Sequence, residues 1–148
     1  MIFKTNHYIK FVNNFMKKGK KSISEKIINE TLYYIKYKTK KNPILILNKA
    51  IKQIQPYIEI RKLRLGSLTY LIPIEINKKR QEKLVITWLL EFIENKKKSK
   101  EEISKRLGDE LLNSLKNEGE LIKRKNELHK LAEMNRVFLH YRWIYNIK

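Results

Sequence analysis

The sequence predicts a mainly α fold, six helices in a single domain over residues 1–148, with one protruding β-hairpin between the third and fourth helices. Three observations predict it. Apolar residues recur every three or four positions along most of the chain, which is the helical period. Residues 57–76, YIEIRKLRLGSLTYLIPIEI, instead run at near-alternating spacing on either side of Gly66-Ser67, the pattern of a β-hairpin. Capping residues, glycine and proline fall mostly where the helical runs meet.

The first helix is expected over residues 7–17, with Ile9, Val12, Phe15 and Met16 at helical spacing. Lys17-Lys18-Gly19-Lys20-Lys21 ends it, Gly19 suiting a left-handed residue and the lysines the negative end of the helix dipole. Ser22 with Glu25 is a capping-box pattern. It opens a second helix to about residue 37, with Ile23, Ile27, Ile28, Leu32 and Ile35 inward, and Lys36, Lys38, Lys40 and Lys41 make a basic exit. Asn42-Pro43 reads as an N-cap followed by proline at the first helical position. The third helix runs from there to about Gln55, stopped by Pro56.

In the hairpin, Ile58, Ile60 and Leu63 face one way, and Arg61, Lys62 and Arg64 point outward. A lone hairpin is marginal in water, so helices are expected to hold its base. Pro73 implies an edge strand or a bulge. The fourth helix, residues 79–95, turns Leu84, Val85, Trp88, Leu89, Phe92 and Ile93 inward. After Lys96-Lys97-Lys98, Ser99 with Glu102 is a second capping box. It opens a fifth helix that ends near Gly119. The sixth covers residues 120–140, with Leu121, Leu128, Leu131 and Val137 at core spacing. No repeat and no dividing linker is present.

Charge narrows the function. The 148 residues hold 34 Lys and Arg against 15 Asp and Glu, a formal net charge of +19. Such a chain repels itself and is suited to a polyanion. Lysine and arginine interrupt every apolar stretch short of the ~20 residues of a membrane span, so nucleic acid is favoured over a membrane. With no cysteine, disulfides and thiolate chemistry are excluded. The N-terminus has no long apolar core with a small-residue cleavage site. Lys, Ile and Asn, all with AT-rich codons, dominate the composition, which points to a compact AT-rich genome such as an organelle's. Lysine outnumbers arginine 27 to 7, so many contacts are point-charge contacts rather than bidentate forks.

No catalytic chemistry stands out. His7, His129 and His140 include no pair at metal-ligand spacing. Carboxylates mostly sit beside cations at helical spacing, as Glu127 does with Arg124 and Lys130, which reads as surface ion pairing. There is no phosphate-cradling glycine loop, nucleophile elbow or metal motif. No enzyme activity, cofactor, metal or small-molecule substrate is therefore expected. Trp88 reads as core, whereas Tyr141, Trp143 and Tyr145 suit either a core or base stacking.

Four ordered motifs then match a known family. KFVNNFMKKGKKS (residues 10–22) resembles the opening motif of small-subunit ribosomal protein seven, the bacterial-type S-seven family. RLGSLTYLIPIEI (64–76) resembles its hairpin, LVITWLLE (84–91) its fourth helix, and KRKNELHKLAEMNRVFLHYRW (123–143) its C-terminal signature. The resemblance implies a structural constituent of the small ribosomal subunit that binds rRNA of the head (three-prime major) domain. It further implies a protein that nucleates head assembly beside other head proteins and lies near exit-site tRNA and the mRNA path.

Carried over position by position, the rRNA-binding set is Lys20 and Lys21 after the first helix, and Arg61, Lys62 and Arg64 on the hairpin. It continues with Lys78, Lys79 and Arg80 after the hairpin, then Lys123, Arg124, Lys125, His129, Arg136, His140, Tyr141, Arg142 and Trp143. Three features depart from the family. Only nine residues precede Lys10, where a basic arm is usual. Ser67 stands in place of the second turn glycine, and the chain stops five residues after Trp143. Short ends and AT-coded composition point to an organellar ribosome, mitochondrial ahead of plastid. The alternative is a DNA-binding or architectural module, since short helices around Gly-Lys turns can imitate helix-turn-helix.

Overall fold

The computed structural model describes residues 6–95 and 102–143. Its elements in order are α1 (Asn6–Phe15), α2 (Lys21–Thr39), α3 (Pro43–Ile54), β1 (Ile58–Leu65), β2 (Leu68–Glu75), α4 (Lys78–Asn95), α5 (Ile103–Leu115) and α6 (Glu120–Met134). A 3-10 helix, Arg136–Tyr141, follows. This is the expected order of helices around one hairpin between α3 and α4. One cluster of buried side chains draws from all six α-helices, with Phe11, Ile35, Ile54, Leu89, Leu107 and Leu121 among its fully buried members.

Local chemistry explains most boundaries. Asn42 caps α3 by accepting from the Ile44 N–H at 3.0 Å, with Pro43 in the first turn. The Ser22–Glu25 capping box does not form. α2 starts two residues earlier than that box requires, at an N-cap Lys20 that offers no side-chain hydrogen bond. The inner face follows from this register: Ser24, Ile28, Thr31, Leu32 and Ile35 are buried, while Ile23 is exposed. In the second predicted box, Ser99 lies outside the described residues. Glu102 is itself the N-cap of α5, without a side-chain bond.

The two strands pair without interruption from Ile58↔Glu75 to Leu65↔Leu68. With no bulge, alternation is strict, so Leu63 shares its face with Glu59 and Arg61 rather than with Ile58 and Ile60. Pro73 pairs with Ile60 and is tolerated because a two-stranded ribbon has only edge strands. Gly66 has φ +61° and Ser67 a negative φ. That is the pattern of a type II′ turn, which wants glycine first and accepts serine second. Ser67 therefore replaces a glycine without strain.

The sixth helix is shorter than its apolar spacing predicts. It ends at Met134, where the Asn135 side chain donates to the Leu131 carbonyl at 2.8 Å and competes with helix propagation. The chain then tightens to three residues per turn, which places i and i+3 on one face. Phe138 and Tyr141 thereby turn together onto the hairpin, while Leu131 is exposed and Val137 is 73% exposed instead of entering the core.

Two close contacts lock the helices. The buried Glu110 of α5 accepts from the Leu121 N–H at 2.9 Å, placing a carboxylate at the positive end of α6. Between α2 and α5, the Tyr34 hydroxyl donates to the Asp109 carboxylate at 2.9 Å, and a Cβ on Gly108 would lie 2.5 Å from the Tyr34 ring. Gly108→Ala should therefore destabilise the fold by about 1–3 kcal/mol through overpacking. The roughly 1 kcal/mol of helix propensity that alanine returns offsets part of this. Thermal unfolding of the variant would show it, and an unchanged or raised Tm would mean that the ring moves freely.

Candidate nucleic-acid interface

Hairpin, α6 and 3-10 helix enclose a cleft of about 560 Å³, lined by Ile58, Pro73, Glu75, His129, Arg136 and Trp143 among others. Three braces hold the hairpin over it. At the base, Arg80 of α4 grips the Glu59 carboxylate through both Nε (3.1 Å) and Nη2 (2.6 Å). On one flank, the Tyr57 N–H donates to His129 Nε2 at 3.4 Å. Lys125 Nζ donates to the Gln53 carbonyl at 2.7 Å and lies 5.9 Å from the centre of the Tyr57 ring. Nearer the middle, Tyr70 packs on Phe138 and Tyr141, with ring centres 5.2 and 5.4 Å away.

These braces sort the predicted residues by use. Lys62 and Arg64 project into solvent, as do Lys78 and Lys79 in the first turn of α4 and Lys123, Arg136, His140 and Arg142. Trp143 is 63% exposed, with the Arg142 guanidinium 5.3 Å from its ring centre. Tyr141 is half-buried against Tyr70.

Five predicted binders are instead engaged within the protein. Arg80 holds Glu59, and Arg61 lies 3.9 Å from the same carboxylate. Arg124 reaches across to Glu91 of α4 at 2.5 Å and covers the Trp88 ring at 5.1 Å, rather than pairing within its own helix with Glu127. Lys125 is half-buried, and burial lowers its pKa. Burial, helped by the Lys125 charge, also lowers the His129 pKa below the ordinary 6.5. His129 is therefore neutral at pH 7, which fits its role as acceptor of the Tyr57 N–H.

Lys20 and Lys21 stand apart. An ion pair between Lys17 and Glu94 fixes their turn near the C-terminal end of α4, about 21 Å along that helix from Arg80. The cations were visible in the sequence, but Glu59, the acidic group at the foot of a basic hairpin, was the missed partner. A carboxylate isolated among three nearby cations was the available signal.

The Glu59 brace has a pH signature. Its hydrogen bonds to Arg80 hold the carboxyl below the ordinary 4.5, outweighing the opposing effect of burial. The unfolded chain therefore takes up this proton at higher pH than the folded one. The brace contributes fully above the unfolded value and fades as pH falls through the folded one. Glu59→Gln should lower the urea midpoint at neutral pH and flatten its decline on the acid side of 4.5. Parallel acid limbs for wild type and variant would show that Glu59 is not coupled to folding.

Among the described residues, no helix is long and apolar enough to cross a membrane, and no cluster of His, Asp and Glu is placed to hold a metal. Fold and surface define a small basic helical scaffold with a braced, projecting hairpin. A family model described as Ribosomal protein S7p/S5e matches residues 1–136, and the chain belongs to that family of structural, non-enzymatic ribosomal proteins. Small ribosomal subunit protein uS7 of Thermosipho africanus is 40% identical over 134 residues, 90% of this chain and 85% of that protein. The uS7 of Pelagibacter ubique is 37% identical over 142 residues, covering 96% of this chain and 90% of that protein.

Proposed function

We propose that this chain acts as one domain that binds rRNA of the head domain of the small subunit. It helps nucleate head assembly with neighbouring head proteins and lies near exit-site tRNA and the mRNA path. The observation that carries this reading is the braced cleft, with Arg136, Arg142 and Trp143 in one wall and the exposed Lys62 and Arg64 farther out along the strand whose Ile58 lines the other. Solvent-facing cations at fixed spacing neutralise phosphates and release counterions. RNA's deep major groove is closed to side chains, so a folded junction is recognised by shape and by unpaired bases stacked on aromatic rings. Lys20, Lys21, Lys78, Lys79, Lys123 and His140 extend the contact. Arg61, Arg80, Arg124, Lys125, His129 and Tyr141 serve it chiefly by holding the hairpin and α6 in place. The Lys-, Ile- and Asn-rich composition supports an organellar ribosome, mitochondrial ahead of plastid, although the named relatives are bacterial.

Filter binding of the full chain to a head-domain rRNA fragment tests the reading, with duplex DNA as competitor. Affinity should fall roughly 10³-fold or more between about 50 and about 200 mM salt if six or more phosphates are contacted. A flat salt response, or equal competition by duplex DNA, would overturn the assignment.

A further inference from the structure

The side of α2 that faces away from the core carries a stripe outside both the core and the cleft. At 100° per residue, Tyr33, Lys36 and Tyr37 share the side of α2 turned away from the buried Ile28 and Ile35, and Lys40 follows as the C-cap. Tyr33 is 59% exposed and Tyr37 85%. Tyr34 and Lys38 turn toward α5, where both bind Asp109, at 2.9 and 2.8 Å.

Lys36 and Lys40 make no ion pair among the described residues, and Lys41 follows in the loop. That loop is built rather than loose. Lys40 takes φ +54°, and its N–H donates to the Lys36 carbonyl at 2.8 Å. Glu30, one turn before Tyr33, bounds the stripe. Lysines near a helix C-terminus are favoured by the dipole, which accounts for the cations but not for the Tyr37 ring held largely in water. α3 separates this loop from the hairpin by about 18 Å, so the stripe is a separate surface.

We infer that Tyr33, Lys36, Tyr37 and Lys40 form a second RNA-binding surface, one that takes an unpaired RNA segment with bases stacked on the tyrosines and phosphates held by the lysines. A single strand offers a π face and a negative charge at every nucleotide, matching alternating rings and cations. An acidic peptide would satisfy the lysines and leave the rings unused. The surface shares no residue with the cleft and stands independently of the head-rRNA reading.

The full chain carrying K62Q/R64Q/K123Q/R136Q isolates it, because those changes remove exposed cations in and around the cleft and leave α2 intact. The probe is a 4-thiouridine-containing oligouridine of about eight nucleotides, read by anisotropy and by photo-crosslink mapping. Crosslinks should fall on the peptide bearing Tyr33 and Tyr37. Y37A should weaken binding by about tenfold, Y37L equally, and Y37F should retain it, since stacking needs the ring and not the hydroxyl. K36Q/K40Q should make the salt dependence shallower by about 1.4 in logarithmic slope. Crosslinks absent from α2 would overturn the proposal, as would Y37L binding like wild type or poly-glutamate displacing the oligomer as well as RNA does. Undiminished binding of this variant to the head-rRNA fragment would count against the cleft alone.

Discussion

Trp88→Ala is expected to cost about 3–5 kcal/mol of folding stability, the range for truncating a large buried aromatic. Trp88 is 6% exposed in the packed face of α4, so its removal leaves a cavity among rigid neighbours. A second effect adds to the first. The Arg124 guanidinium lies over the indole and reaches Glu91 in the same helix, so the ring is part of the surface on which α6 docks. Against the 5–15 kcal/mol total of an ordinary domain, this is a large fraction. Urea denaturation followed by far-UV circular dichroism should show a lower midpoint with the same slope. RNA binding should fail together with the fold as temperature rises, and Trp88→Phe should recover most of both. A midpoint within experimental error of wild type would mean that α4 does not pack through Trp88.

The contrast between Trp88 and the braces shows which parts of this molecule the sequence makes legible. Trp88, Leu89, Phe92 and Ile93 repeat at helical spacing, so their burial follows from a local period. Asn42-Pro43 and Gly66 likewise carry their instructions within one or two residues. Ser22 misled because a capping pattern states only a local preference, and the packing of Ser24 and Ile28 selected a register in which Ser22 lies inside the helix. The end of α6 was missed because apolar spacing continues through Leu131 and Val137, whereas an asparagine side chain and a change of helical pitch terminate it. Least legible were interactions between distant positions, such as Glu59 with Arg80, Glu110 with Leu121 and Arg124 with Glu91. Charge counting marks each cation as available for RNA. Only the fold shows that some of them already have carboxylate partners.

A comparably large effect is expected from cations that lack such partners. K62Q/R64Q/K123Q/R136Q removes four exposed cations that have no ion pair among the described residues, two on the hairpin and two on or just after α6. Every phosphate that no longer meets a cation should reduce the salt slope by about 1. The quadruple variant should therefore bind the head-rRNA fragment with a slope shallower by roughly 3–4 and an affinity lower by about 10² or more at moderate salt. Its fold should be unchanged, since none of the four side chains is buried. The decisive comparison is a charge-matched variant, K49Q/K52Q/K105Q/K116Q, which removes four exposed lysines that do not line the cleft, Lys105 being paired with Glu102. Long-range attraction from a +19 chain weakens by the same amount in both and is screened beyond about 10 Å at 0.1 M salt. Only direct phosphate binding distinguishes them. Equal losses of affinity would mean that RNA is held by net charge spread over the surface. A loss confined to the first variant would place the phosphates along the hairpin and α6, where Glu59, His129 and Tyr70 hold the two walls of the cleft at a fixed separation.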